Sequence, residues 1–222
     1  MSRIVAKVGG AVATEATAQL LGLVAAGNEV VVVHGAGPQI SSEMEKRGLP
    51  VEFVLGRRVT SAAALAVVRA SLAEVNAELC AALGPLALGL MGDEIGLAAE
   101  QIVELGQVGD PVPSRPAVVE QALAEGRLPV VAPLAAGPLN VNADEMAAAL
   151  AAGLDADRIL FLTDVRGLVL EGAVVPRIEA GAAEALLEEG LLEGGILPKL
   201  RAAVTAARLG VHAEIGETAV VA

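Results

Sequence analysis

The chain has 222 residues, 55% of them hydrophobic, and a formal net charge of −12. Its only aromatic residues are Phe53 and Phe161 and acid outweighs base, so it lacks the stacking rings of a nucleic-acid groove and the basic patch that phosphate tracks or anionic membrane surfaces require. A single cysteine, Cys80, excludes an intrachain disulfide and fits a reducing, cytoplasmic setting.

In chain order the pattern alternates strand and helix. Ile4–Val8 reads as a short strand that begins too close to the start for a signal peptide, and a helix follows from about Thr14 to Ala26. Glu29–Val33 is apolar after its first residue, as in a central parallel strand. A helix runs from Gly37 to about Arg47-Gly48, and Val51–Val59 reads as extended or hairpin-like. Thr60 or Ser61 caps the next helix, whose Leu65, Val68, Leu72, Val75, Leu79 and Leu83 recur at three- and four-residue steps as one buried face. Gly84-Pro85 ends it. Cys80 lies within that pattern and reads as a buried, inert thiol. The uncharged run Cys80–Gly92, broken by Pro85 and glycines, is too short to cross a bilayer.

Ala87–Met91 reads as a short buried strand, Glu94 to Ser114 as irregular, Pro116–Glu125 as a helix and Leu128–Ala132 as a strand. Asn142–Ala152 is an Ala-rich helix and Arg158–Thr163 a strand. The tail carries helices at Ala180–Glu189 and Pro198–Leu209 and short strands at Ala213–Ile215 and Ala219–Val221. Such alternation implies a mainly parallel sheet with helices on both faces, and ligands of such sheets bind beyond the carboxyl ends of the strands.

Three glycine-bearing turns lie at such ends. In Lys7-Val8-Gly9-Gly10, Val5 and Lys7 share one strand face and Ile4, Ala6 and Val8 the other. A lysine near the end of a buried strand is costly unless something anionic meets it, although an exposed strand-end lysine fits the sequence equally well. His34-Gly35-Ala36-Gly37-Pro38-Gln39 follows a strand and opens a helix, the setting of an anion site. A dinucleotide fingerprint would want a third glycine where Ile40 stands. A plain tight turn stays open as an alternative. His34 reads as packed or hydrogen-bonded rather than as an acid/base group.

In Gly194-Gly195-Ile196-Leu197-Pro198-Lys199, Pro198 suits the first helical position. Lys199 opposes the helix dipole by about 0.3–1 kcal/mol unless an anion sits there. Between these turns, Asn142 could be an N-cap and Asp144 a first-turn acid, or both could serve a site. Asn140 is not explained by capping.

Together the KVGG of Lys7, VVVHGAGPQ at 31–39, GRRVT at 56–60, LNVNAD at 139–144, LTDVRG at 162–167 and GGILPK at 194–199 resemble the amino-acid kinase family, most closely its acetylglutamate kinase branch, over nearly the whole chain. The resemblance implies a three-layer αβα sandwich with a mainly parallel central sheet. Residues 1–155 would form an acceptor-binding and dimerising lobe and residues 156–222 an ATP lobe. It implies ATP with Mg²⁺ carried on the phosphates and no protein metal site. The acceptor would be a small acid, N-acetyl-L-glutamate of arginine biosynthesis. An N-acetyl-aminoadipate or carrier-linked acceptor of lysine biosynthesis, or a non-catalytic binding protein on the same fold, are the alternatives. It also implies a homodimer that engages neither nucleic acid nor membrane.

The same resemblance assigns residues. Lys7 and Lys199 would neutralise the phosphoryl group in flight, Lys199 nearer the leaving side, with Asp144 orienting both. Gly35, Ala36, Arg58 and Asn140 would bind the substrate, Arg58 through its α-carboxylate. Gly9, Gly10, Gly37, Asn142, Asp164 and Gly195 would join the two lysines around the nucleotide. The chain departs from the family at Ala36, where a second glycine is usual, and at Gly216-Glu217-Thr218, a short link between the last two strands.

Overall fold

The computed structural model describes residues 1–9, 13–190, 192 and 194–222. In chain order it contains β1 (Arg3–Val8), α1 (Ala13–Ala25), β2 (Glu29–His34), α2 (Gly37–Lys46), β3 (Phe53–Val54), β4 (Arg57–Arg58), α3 (Ala62–Leu83), β5 (Ala87–Met91), β6 (Ala99–Gln101), β7 (Val108–Pro111), α4 (Ala117–Ala124) and β8 (Leu128–Ala132). It continues with β9 (Leu134–Ala135), β10 (Leu139–Val141), α5 (Ala143–Gly153), β11 (Arg158–Leu162), β12 (Val169–Leu170), β13 (Ala173–Val174), β14 (Arg177–Glu179), α6 (Ala180–Glu189), α7 (Ile196–Arg208), β15 (His212–Ile215) and β16 (Thr218–Val221).

An eight-stranded sheet of order β14-β16-β15-β11-β1-β2-β8-β5 forms the middle layer, parallel at every pairing except β15 with β16. Side chains alternate across it. Val5, Val31, Val33, Ile159 and Phe161 pack with Met146 and Leu150 of α5 and Leu200 and Ala203 of α7. Ile4, Ala6, Val8, Val30 and Val32 pack on the other side with Leu20 of α1 and Leu79 and Leu83 of α3. Both faces are covered, so the central strands read as unbroken apolar runs. This is the three-layer α/β sandwich that the pattern implies.

A smaller sheet, β6-β7-β10-β9, and the separate hairpin β3–β4 stand beside the main one. Residues 94–114, expected to be irregular, therefore supply two strands and a 3-10 turn (Val103–Leu105). Their regularity comes from pairing with distant β10, which no local pattern announces. Ala87–Met91 is a strand, but it is the edge of the main sheet and only half-buried, not buried as expected.

Side-chain caps set the starts of α3 and α5. Ser61 Oγ accepts the Ala64 amide at 3.2 Å and sets the start of α3, and Gly84, at φ 80°, ends it. Of the α3 face expected to be buried, Leu65 and Val75 are only partly so, while Val67, Ser71 and Asn76 are buried. Helix α7 begins at Ile196, so Pro198 is its third residue rather than its first. That is tolerated because first-turn amides have no acceptor within the helix. Among the described residues no helix is long and apolar enough to cross a membrane.

Candidate active site

The carboxyl ends of β1, β2 and β11 open towards the N-termini of α2, α5 and α7. Lys7, second from the end of β1, is buried on the face that meets α5. Its Nζ lies 2.9 Å from Oδ1 of Asp144, the second residue of α5. The approach is off the line a hydrogen bond needs, so the contact is an ion pair and Oδ1 keeps no aligned donor. Lys199, in the first turn of α7, brings its Nζ to 3.7 Å from Oδ2 of the same carboxylate.

Two ammonium groups from opposite ends of the chain thus share one buried anion. Burial is the main reason the Lys199 ammonium is held below the ordinary lysine pKa. Lys7 pushes in the same direction, and Asp144 and Asp164 oppose. Asp164 stands exposed in the loop after β11, bonded to Thr163 Oγ1 at 3.2 Å. Two cations against one buried anion leave positive charge for an incoming phosphate.

The glycine turns bracket this cluster. The Gly35 amide donates to Val8 O at 3.0 Å and ties the β1 and β2 elbows together. Gly35 therefore places the turn, and the donors at the start of α2 are the amides further on, such as Gly37, since Pro38 has none. Gly9 follows β1 directly, Gly10 lies outside the described residues, and Gly195 is the N-cap residue of α7. Ala36 has φ −142° and ψ 30°, so no glycine-only backbone angle is required of it. Its side chain is buried with Ile40, Met44 and Leu72 between α2 and α3.

Arg58 lines the same cleft. It is 6% exposed, and no acidic side chain among the described residues pairs with it. Its Nη2 donates to Gly37 O at 3.1 Å and Ser41 Oγ at 2.8 Å, Nη1 faces Met44 Sδ at 3.5 Å, and the guanidinium lies 4.6 Å from the Phe53 ring centroid. Burial without a counter-ion lowers its pKa. A buried cation held only by dipoles and a ring is suited to a carboxylate ligand, which its planar fork can take with two bonds.

Asn140 Nδ2 donates to Thr60 Oγ1 at 3.0 Å, and Thr60 Oγ1 donates to Arg58 O at 2.7 Å, a chain joining β10 to the Arg58 backbone. Asn142 is the N-cap of α5: its Oδ1 accepts the Asp144 and Glu145 amides at 2.8 and 3.2 Å. Its Nδ2 donates to Gly56 O at 3.0 Å, so capping accounts for this residue even though it lines the cleft.

The cleft has a volume of about 170 Å³ and gathers Lys7, Gly35–Gly37, Arg58, Asn140, Asn142 and Asp144, with Phe53, Ile40 and Val108 as apolar wall. Lys199 joins it through Asp144, while Asp164, Gly9 and Gly195 stand outside its lining. A second hollow of about 200 Å³ lies at the ends of β11 and β15, between Gln19, Thr163, Glu214 and Gly216. Sequence reasoning gave no site role to Arg57 or Phe53, and read Thr60 only as a candidate helix cap. The only local signal of a site role for Arg57 and Thr60 is closeness to Arg58 in Gly56-Arg57-Arg58-Val59-Thr60, and Phe53 meets Arg58 only through the β3–β4 pairing.

His34 lies on the opposite face of the sheet. Asn76 Nδ2 donates to Val130 O at 2.9 Å and contacts His34 Nε2 at 3.0 Å. Val130 O can only accept, which fixes Nδ2 as the amide nitrogen and places the ring proton on Nδ1. Burial pushes the His34 pKa down to about 4, only partly opposed by the nearby Gly35 backbone, and Nδ1 lies buried without an aligned partner. The hydrogen-bonded reading of this residue holds. Cys80 is half-buried beside Asn76, and burial raises its thiol pKa.

Comparison with known proteins gives a consistent result. The model of the amino acid kinase family matches residues 2–216. An acetylglutamate kinase of Rubrobacter xylanophilus is 43% identical, the match covering 97% of this chain and 88% of that protein. Among solved structures, the smu.665 protein of Streptococcus mutans superposes with a TM-score of 0.87 at 29% identity, over 99% of this chain and 98% of that one. A carbamate kinase of Giardia lamblia, bound to AMP-PNP, shares the fold with a TM-score of 0.76 at 15% identity, over 99% and 98%.

Proposed function

The chain belongs to the amino acid kinase family, and from that premise we propose that it transfers the γ-phosphoryl group of ATP to the side-chain carboxylate of N-acetyl-L-glutamate. The observation that carries this reading is the convergence of Lys7 and Lys199 on Asp144 at a cleft that is also lined by Arg58, which has no acidic partner among the described residues.

A side-chain carboxylate, with a reference pKa of about 4.3, is already ionised at neutral pH and needs no general base. One of its oxygens forms the new bond to the γ-phosphorus while the bond from that phosphorus to the β–γ bridging oxygen breaks, giving an acyl phosphate and ADP. Catalysis of such transfers is mainly positioning and charge stabilisation. Lys7 and Lys199 would face the equatorial and leaving oxygens, and the amides at the start of α2 would add dipoles. Asp144, held at the capped first turn of α5, keeps both ammonium groups aimed. Mg²⁺, bound to the ATP phosphates, would supply further charge neutralisation.

Arg58 would take the acceptor's α-carboxylate in the same cleft. Residues 1–155 would then hold the acceptor, and residues 156–222, with the hollow at β11 and β15, the nucleotide. The test is hydroxylamine trapping with ATP and a panel of acids. An acyl hydroxamate is expected with N-acetyl-L-glutamate, in preference to N-acetyl-aminoadipate. No hydroxamate with any acid would favour a binding protein on this fold. Arg58→Ala should raise KM for the acid roughly 10–100-fold, the worth of a hydrogen bond to a charged group, and leave KM for ATP nearly unchanged.

A further inference from the structure

The hairpin β3–β4 is the least supported wall of the cleft. Each strand has two residues, the pair belongs to neither larger sheet, and the turn needs positive φ at both Leu55 (51°) and Gly56 (84°). Its tip exposes Phe53, Val54 and Leu55. A two-stranded hairpin is marginal in water on its own, so its stance depends on what tethers it. Arg57 and Arg58 provide tethers in opposite directions. Arg58 reaches α2 through Gly37 O and Ser41. Arg57 turns the other way: its Nε lies 3.0 and 2.9 Å from the two oxygens of Glu145, and its Nη2 is 2.8 Å from Asp110 Oδ1 on β7.

Glu145 directly follows Asp144 in the first turn of α5, and Asn142, the cap of that helix, holds Gly56 O. The hairpin is therefore fastened to the short segment that carries the carboxylate between the two lysines. Arg57 and Glu145 are both largely shielded from solvent, about a fifth of each side chain remaining exposed, which gives the pair more weight than a surface contact.

We propose that the Arg57–Glu145 pair is a latch that fixes the β3–β4 hairpin over the cleft and so positions the acceptor against Asp144 and the lysines. Its kinetic part rests on the kinase reading above. Its conformational part does not. Arg57 and Glu145 are positioning residues: neither is assigned a contact with the reacting atoms.

Amide hydrogen exchange, read by mass spectrometry on the full chain, tests the latch without any activity. In Arg57→Leu and in Glu145→Gln, amides of residues 52–59, including Val59 N–H bonded to Glu52 O, should exchange about tenfold faster, the scale of losing a charge-assisted hydrogen bond. Peptides from β1 and α3 should not change. The same variants should raise KM for the acid about tenfold, with kcat and KM for ATP within a few-fold, and the swapped pair Arg57→Glu/Glu145→Arg should recover part of both effects. Unchanged exchange at 52–59, or faster exchange throughout the sheet, overturns the latch. Faster exchange with an unaltered acid KM overturns its positioning role. Faster local exchange in a protein that makes no hydroxamate keeps the latch and sinks the kinase reading instead.

Discussion

At the carboxyl ends of β1 and β2 the central sheet buries one ionisable side chain on each face, one register step apart: Lys7 lies opposite Val33, and Val8 opposite His34. Lys7 meets a carboxylate that a second lysine shares. His34 meets an amide and is driven neutral, its pKa near 4. Burial penalises charge on both sides, but among the described residues only Lys7 has a carboxylate within ion-pair distance, whereas His34, beside a small hollow of about 90 Å³ that Glu78 also lines, has none. On the face towards α3 the ring gives up its proton and serves as a packed hydrogen-bonding group. Charge is retained in this chain where a ligand could use it, and Arg58, buried without an acid, extends the same rule within the cleft.

The hardest blow to that contrast falls on the charged face. Lys7→Ala and Lys199→Ala should each lower kcat by roughly 10²–10³-fold, the usual loss when one group stabilising transition-state charge is removed, while thermal unfolding shifts little. A common fall of melting temperature and turnover in both variants would show that the pair serves folding. The pH profile refines the point. Because burial holds the Lys199 pKa below its ordinary value in the free protein, the alkaline limb of kcat/KM should appear below the lysine reference of about 10.4. The sign for stability is opposite. Between the folded and unfolded pKa values the unfolded chain binds more protons, so this group's burial cost is relieved as pH rises. Activity should fall through that window without a matching loss of stability from Lys199. An alkaline limb at the free-lysine value would detach Lys199 from the rate.

The two faces also differ in how far the sequence disclosed them. The glycine elbows were legible because turn residues and strand-to-helix switches are local, and the order of the six motifs carried the family. That Lys7 points away from Ile4, Ala6 and Val8 follows from strand alternation alone. Its meeting with Lys199 does not, since it depends on how α7 packs beside α5 across most of the chain. Strands of two to four residues, such as β6, β7, β9, β10 and β12–β14, were missed because such runs are too short to show a period. Arg57 was overlooked for the same kind of reason: its partners, Glu145 and Asp110, are brought to it by tertiary structure. Asn142 shows the reverse case, where the plain capping reading was correct and coexists with a place in the cleft wall.

The neutral face should reveal itself in acid. His34 has a folded pKa of about 4 against 6.5 for a free histidine. Below pH 6.5 the unfolded chain takes up a proton that the folded one refuses, so stability drains away as pH falls to about 4 and then levels off. The loss amounts to about 3 kcal/mol over that range. Urea unfolding at pH 7.5 and 4.5 should show wild type losing about 2–3 kcal/mol more than His34→Gln, the carboxylates contributing alike to both. An equal loss in the two proteins would mean that His34 is protonated in the native state, and the asymmetry between the faces would disappear.

The smallest effect belongs to Ala36, on the elbow that separates the two faces. The family's usual glycine raises the question whether the methyl strains the turn. With φ at −142° the backbone asks nothing of glycine, and the methyl is 2% exposed against Ile40, Met44 and Leu72. Ala36→Gly should therefore destabilise by about 1–2 kcal/mol, from one buried methyl and a freer unfolded backbone. In a chain of this size each kcal/mol lowers the melting temperature by roughly 2–4 °C. A variant that melts higher than wild type would show the opposite: that the elbow is strained by its side chain, and that the packing of α2 on α3 tolerates the methyl instead of using it.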